Sequence, residues 1–224
     1  MKRFAVEPRA DWQATARDCG FRFHTMYGEP YWDESACYAF TLAEIERDLE
    51  APSGELAAMC IDVVEAAVRD EALLNRLAIP AFLHDFVRAS WLRGEPTLYG
   101  RFDFAYDGRG PAKLYEYNAD TPTALYETAY FQWVWFEQAL ARGLIPAGCD
   151  QYNSVQERLI ETLSRLAPEG PMHFVCARGS EEDRGTVEYL RDCAEQAGID
   201  TRFLYVEEIG VDTNGQYTGR DGEA

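Results

Sequence analysis

Apolar positions recur at helical spacing through most of the first ninety residues, switch to alternation near Thr97, and return to a helix and strand pattern in the last third. Arg9 to Cys19 reads as a helix stopped at Gly20. The segment Phe21-Arg-Phe-His-Thr-Met-Tyr-Gly-Glu-Pro-Tyr-Trp that follows is too aromatic for a free linker, so it is expected to pack on the domain. Thr41-Leu-Ala-Glu44 and Ser154-Val-Gln-Glu157 have capping-box spacing ahead of apolar residues at helical intervals. The second of these helices continues with Leu159, Ile160, Leu163 and Leu166. Pro80 suits the first turn of another helix, carrying Phe82, Phe86, Val87 and Trp91 and ended by Gly94.

The alternating stretch is the most informative. Thr97 to Tyr106 reads as a strand, Asp107-Gly-Arg-Gly110 as a turn, and Pro111 to Asn118 as a second strand. Pairing Asp107 with Gly110 sets Arg101 opposite Glu116. Alternation then puts Asp103 on the face of Arg101 and Asn118 on that of Glu116, so four polar side chains converge on one side. Phe102, Phe104, Tyr115 and Tyr117 take the other, and a bulge would break this parity. Downstream, Thr121 is the expected N-cap and Pro122 the first residue of an aromatic helix running through Trp133, Trp135 and Phe136 to Gly143. Its free N–H groups, with the hydroxyls of Thr121 and Thr123, form an expected anion or carboxylate site.

The last third predicts a β-α-β unit: a strand from Met172 to Ala177, a helix opened by Ser180-Glu-Glu-Asp and ended at Gly198, and a strand from Thr201 to Val206. The turn Arg178-Gly-Ser lacks the spacing of a dinucleotide fingerprint. Beyond Val211 the pattern is turn, short strand and second turn with no return strand after it, which reads as a frayed tail or as a chain that has been cut.

Composition narrows the function classes. The 224 residues are 47% hydrophobic, enough for a real core, and carry 21 basic against 39 acidic side chains, a net charge of −18. That balance argues against a nucleic-acid partner and leans towards cationic ligands. No apolar run reaches a membrane span and the N-terminus has no signal-peptide core, so a cytoplasmic location without a membrane partner is expected. The six cysteines are scattered with no C-x-x-C, and the three histidines stand far apart, so neither zinc nor a disulfide framework is indicated. Nothing in the sequence sets an oligomeric state.

Asp103, Glu116 and Asn118 are hard oxygen ligands of the kind Mg²⁺ uses when it also bridges phosphate oxygens, and Arg101 is a natural phosphate or carboxylate partner. The set suits phosphoryl or acyl-phosphate chemistry. Two other readings stand beside it: a surface salt bridge between Arg101 and Glu116, and a glycosidase-like acid pair of Asp103 with Glu116.

The run Tyr99-Gly-Arg-Phe-Asp-Phe-Ala-Tyr-Asp-Gly-Arg-Gly-Pro-Ala-Lys-Leu-Tyr-Glu-Tyr-Asn-Ala-Asp-Thr-Pro-Thr-Ala-Leu-Tyr-Glu127 closely resembles the signature of the glutathionylspermidine synthase family, as does Tyr31-Trp-Asp-Glu-Ser-Ala-Cys-Tyr38 upstream. The resemblance extends from Phe21 through Leu190. It implies an ATP-grasp ligase that activates a glutathione-like carboxylate as an acyl phosphate for attack by a polyamine-like amine, with ATP and Mg²⁺ as cofactors. Carried over by residue, it implies Mg²⁺ on Asp103, Glu116 and Asn118, ATP against Arg101, Phe102 and Asp103, and Arg101 as the catalytic contact to the phosphoryl group. The peptide substrate would lie against Arg101, Thr121, Thr123 and Glu182. The expected fold is α/β: a mainly helical part over residues 1–96, a hairpin and aromatic helix over 97–150, and a βαβ pre-ATP-grasp unit over 151–224. The lysine-bearing, glycine-rich ATP-binding part of the family has no counterpart here, so a non-catalytic substrate- or partner-binding fragment is the alternative expectation.

Overall fold

A computed structural model describes residues 1–120 and 123–219. In chain order the elements begin β1 (Lys2–Ala5), α1 (Trp12–Asp18), β2 (Thr25–Met26), β3 (Glu29–Pro30), β4 (Ala36–Ala39), α2 (Leu42–Glu44), α3 (Ala51–Arg69), α4 (Glu71–Arg76) and α5 (His84–Arg93). They continue with β5 (Arg101–Ala105), β6 (Lys113–Asn118), α6 (Gln132–Ala141), α7 (Val155–Leu166), β7 (Met172–Cys176), α8 (Glu181–Gln196), β8 (Thr201–Tyr205), β9 (Gly210–Val211) and β10 (Tyr217–Thr218). Wider π-helical turns lead into α3 at Ile45–Glu50 and into α6 at Glu127–Phe131. The result is a mixed α/β chain with small sheets in two compact units, Met1–Arg3 with Tyr38–Thr121 and Phe4–Cys37 with Pro122–Ala224. Among the described residues no helix is long and apolar enough to cross a membrane.

In the first unit the predicted capping box forms: the Thr41 hydroxyl accepts from Glu44 N at 3.2 Å and the Glu44 carboxylate accepts from Thr41 N at 2.8 Å. The π-turn that follows rotates Asp48 inward, where its side chain has no exposed surface. A buried carboxylate needs donors, and Asp48 has them: Arg47 at 2.6 and 2.8 Å and the Tyr106 hydroxyl at 2.7 Å. Its carbonyl accepts from Ala112 N at 2.8 Å, so one residue anchors both ends of the loop between β5 and β6.

Arg47 and Tyr106 hold the Asp48 carboxyl down at about 2, while burial and the same bond push the Tyr106 hydroxyl up to about 12. The folded carboxyl titrates below its unfolded value, so its contribution to stability is present above about pH 4 and is lost as pH falls towards about 2. The Tm difference between wild type and Asp48→Asn is therefore expected to be largest at neutral pH and to narrow over that acid range. A difference independent of pH excludes an ionised Asp48 as the anchor.

Two expectations for the helices of this unit are corrected. Pro80 precedes a 3₁₀ turn, Ala81–Leu83, with an extended ψ of 136°, rather than sitting in the first turn of a helix. Of the apolar residues expected on it, Phe82 and Phe86 are 83% and 66% exposed, while Val87 and Trp91 are half-buried. His84 is buried in their place, its Nε2 paired with the Ile79 carbonyl at 2.9 Å, which fixes the rotation of α5. Gly94 does end the helix, in the left-handed conformation at φ 65°.

The second unit is built on the aromatic segment after α1. Phe21 is fully buried, with edge contacts to Phe23 at 4.7 Å, Trp32 at 5.9 Å and Phe131 at 4.7 Å. Beside it lies a buried ion pair. Glu34 accepts from Arg9 Nε at 3.0 Å, Arg9 N at 3.2 Å, Arg9 Nη2 and Trp32 Nε1 at 3.0 Å, while Arg9 Nη1 donates to Gln138 at 2.8 Å. Helix α7 buries Leu159 and Leu163 as its periodicity predicts. Ser154, however, does not cap it: Asn153 Oδ1 takes Val155 N at 2.9 Å, and the Ser154 hydroxyl is bonded by Arg158 instead.

Strands β7 and β8 are parallel, Met172 opposite Thr201 through Cys176 opposite Tyr205, with α8 as the crossover. The short strand expected after Val211 forms: Tyr217 and Thr218 pair with Val211 and Gly210 across a turn held by Asp212.

Candidate functional site: the polar face of the hairpin

Strands β5 and β6 are antiparallel, but the expected register is corrected. Arg101 opposes Asn118, Phe102 opposes Tyr117 and Asp103 opposes Glu116. A shift of two residues preserves parity, so Arg101, Asp103, Glu116 and Asn118 still share one face. Beyond Asp103 the ladder slips by one: Phe104 opposes Leu114 and Ala105 opposes Lys113, leaving Tyr115 as the extra residue of a bulge, 79% exposed rather than paired beside Phe104. The cause is the loop. Asp48 clamps Tyr106 and Ala112, so the connection spans 106–112 rather than a tight four-residue turn, and Gly108 and Gly110 take positive φ within it.

On the polar face Arg101 grips Asp103 at two points, 2.7 and 3.1 Å, and reaches Glu116 at 3.9 Å. Asn118 Nδ2 donates to Glu116 at 2.9 Å, which turns its amide oxygen to the remaining acceptor role. The Arg101 bond holds the Asp103 carboxyl below the usual carboxylate range. Arg101 and Asp103 are about one third exposed and Glu116 more than half, so the cluster stands open to a ligand. An exposed pair of this kind adds roughly 1 kcal/mol or less to stability. On the opposite face the Phe102 ring lies 4.3 Å from Tyr117 and 5.7 Å from Phe104. Tyr117 in turn lies over Gly100, where a Cβ would come within 2.7 Å of its ring.

The other expected site residues fall elsewhere. Thr121 and Pro122 lie outside the described residues. Thr123 is half-buried in a bend, and the helix leading into α6 opens at residue 125, after Ala124 at φ 65°, so Thr123 does not lie in its first turn. Glu182 is in the first turn of α8, which Ser180 caps by accepting from Asp183 N at 3.2 Å. Thr123 and Glu182 belong to the second unit, whereas the hairpin cluster belongs to the first. Sequence reading missed a cleft of about 720 Å³ within the second unit, lined in part by Glu181, Arg184, Glu188 and Asp192. Their spacing along one helix was the available signal.

Among the described residues no group of three or more His, Cys, Asp and Glu side chains is placed to enclose a metal. Two carboxylates and one amide oxygen on an open face match by their chemistry an ion such as Mg²⁺, which takes hard oxygen donors and keeps water and phosphate as its other ligands.

Residues 3–224 match the model of the glutathionylspermidine synthase preATP-grasp family. The chain belongs to this family. It is 37% identical over 221 residues to a Haemophilus influenzae protein provisionally named an acid–amine ligase, covering 95% of this chain and 54% of that protein. It is 30% identical over 190 residues to the bifunctional glutathionylspermidine synthetase/amidase of Escherichia coli, covering 82% of the chain and 29% of the relative. The trypanothione synthetase of Crithidia fasciculata is 27% identical over 165 residues, 72% of the chain and 25% of the relative. The family member described here thus spans about half the length of the Haemophilus protein and under a third of the other two.

Proposed function

We propose that this chain supplies the phosphoryl- and metal-facing hairpin of an ATP- and Mg²⁺-dependent carboxylate–amine ligase, one that joins a glutathione-like carboxylate to a polyamine-like amine through an acyl phosphate. The observation that carries the reading is the convergence of Arg101, Asp103, Glu116 and Asn118 on one exposed strand-pair face. The names of its relatives support it.

Asp103, Glu116 and Asn118 would hold the magnesium ion, which when bound neutralises charge on the transferred phosphoryl group. Arg101 is the second source of positive charge, and its fork matches phosphoryl oxygens as it matches the Asp103 carboxylate. The Arg101 bond holds the Asp103 carboxyl below its ordinary range, so it stays an ionised ligand further into acid than a free aspartate would. Phe102, from the opposite side of β5, stiffens the strand through Tyr117, and its backbone stands between the two charged residues. Thr121, Thr123 and Glu182 are the proposed peptide-side contacts.

The test is ADP release by the full-length protein with glutathione, spermidine, ATP and Mg²⁺. Metal-dependent release that Asp103→Asn lowers about a hundredfold or more is expected. Undiminished release in that variant excludes the assignment. The second reading, a binding module without its own ATP chemistry, rests on the share of its relatives that the chain spans. It predicts no ATP·Mg²⁺ binding heat from the 224-residue chain by itself.

A further inference from the structure

Helix α3 carries apolar residues on more than one side, the pattern of a helix that is covered all round. The cover it receives is partial. Near its C-terminus it buries Ala67 and Val68, whereas Met59 and Val63 are 61% and 54% exposed, and Ile61 and Val64 are exposed on another side. Helix α5 packs beside it, Arg88 Nε donating to the Val68 carbonyl at 3.0 Å, and leaves Phe86 and Leu92 exposed as well. Exposed apolar surface of this kind marks an interaction site.

The charges around it say what fits. At helical spacing Glu55, Met59, Asp62, Val63 and Ala66 share one face of α3, and all five are exposed. The bases nearby are committed: Arg47, Arg69, Arg88 and Arg93 each pair with a carboxylate of the same unit. By contrast Glu46, Glu50, Glu55, Asp62 and Glu71, all exposed, have no ion pair or side-chain hydrogen bond among the described residues. Covering the stripe takes Glu55 and Asp62 out of water, which is unfavourable unless cations meet them. A second copy would bring the same acids to the seam, so charge opposes self-pairing. The fitting occupant presents apolar side chains flanked by Lys or Arg.

Length indicates where that occupant comes from. The match to the Haemophilus protein covers 54% of it, so a comparable length of that polypeptide lies outside the match. A segment tethered to its own docking face needs little intrinsic affinity, because tethering supplies an effective concentration on the order of millimolar. We infer that the Glu55–Ala66 face of α3 is the docking surface for a basic, apolar-faced helix from the part of the polypeptide that lies outside the match in the longer relatives. The inference concerns how the polypeptide assembles and does not rest on the ligase reading.

Carboxyl labelling of the native full-length protein with a water-soluble carbodiimide and glycine ethyl ester, read by peptide mass spectrometry, tests it. Glu55 and Asp62 are expected to label at least about tenfold more slowly than in the urea-unfolded protein, because a docked helix excludes water from them. A smaller slowing overturns the inference. The slowing is expected to be independent of protein concentration; protection that fades on dilution assigns the face to a second copy and overturns it as well. Met59→Lys places a cation within the stripe, and Asp62→Lys removes an acid that the occupant's bases would meet. Each is exposed in this unit, so each is expected to leave the fold intact while returning Glu55 towards its unfolded labelling rate. Glu55 protection unchanged in both variants overturns the inference.

Discussion

Arg101→Ala in the full-length protein is expected to lower the rate of ADP release by about 100- to 1,000-fold while leaving the melting temperature nearly unchanged. The asymmetry follows from position. The pair with Asp103 lies on an exposed strand face, where it contributes little to folding, yet its guanidinium is the one cation of the cluster. Removing it also frees Asp103 to titrate nearer its ordinary value, because the Arg101 hydrogen bond is the chief cause of its lowered pKa. The pH profile should report this: a lowered folded pKa keeps the carboxylate ionised into mildly acidic solution, and in Arg101→Ala residual activity falls off at a higher pH than in wild type. Lys in place of Arg restores charge without the fork, so Arg101→Lys should fall between the two. An Arg101→Ala enzyme with wild-type turnover removes Arg101 from the site.

The largest structural effect is expected at the buried Arg9–Glu34 pair. Glu34→Gln or Arg9→Met leaves a charged partner buried without its counter-ion, and either single change should cost about 3–5 kcal/mol of unfolding free energy. The double variant Arg9→Met/Glu34→Gln removes both charges and is expected to recover most of that loss, since a buried pair balances desolvation against attraction. Urea unfolding of the four proteins checks this through the coupling energy of the cycle. Strictly additive losses would show that the two residues act separately, with the Trp32 donor sufficient for Glu34 and the Gln138 acceptor sufficient for Arg9.

Much of the polar face was legible before any coordinates, and the reason is parity. Alternation fixes which side chains share a side of a strand whatever the register, provided the slip is an even number of residues, and here it is. The register itself was not legible, because loop length is set by Asp48, a residue far from the hairpin in sequence that gave no local sign of facing inward. Propensity failed in the same way at Ser154, where the preceding asparagine took the capping bond. The motif around Glu34 was recognisable as a family mark, yet its physical role as the acceptor of a buried arginine appears only when residues 9 and 34 are brought together. The cleft along α8 was hidden for a different reason. A row of acids on a helix reads as a solvated surface until their partners are known.

The second unit is discontinuous in sequence, and this bears on how the protein is made. Phe21 is covered by Phe131, and Arg9 is held by Gln138 across a sequence separation of 129 residues. On a ribosome adding on the order of 5–20 residues per second, the amino-terminal aromatic segment emerges roughly 5–20 seconds before the helix that buries it. During that interval the intervening unit is free to fold first. The early segment is then a nascent chain rich in uncovered rings and carrying a pair of opposite charges, a stretch that a holdase chaperone would recognise until α6 arrives.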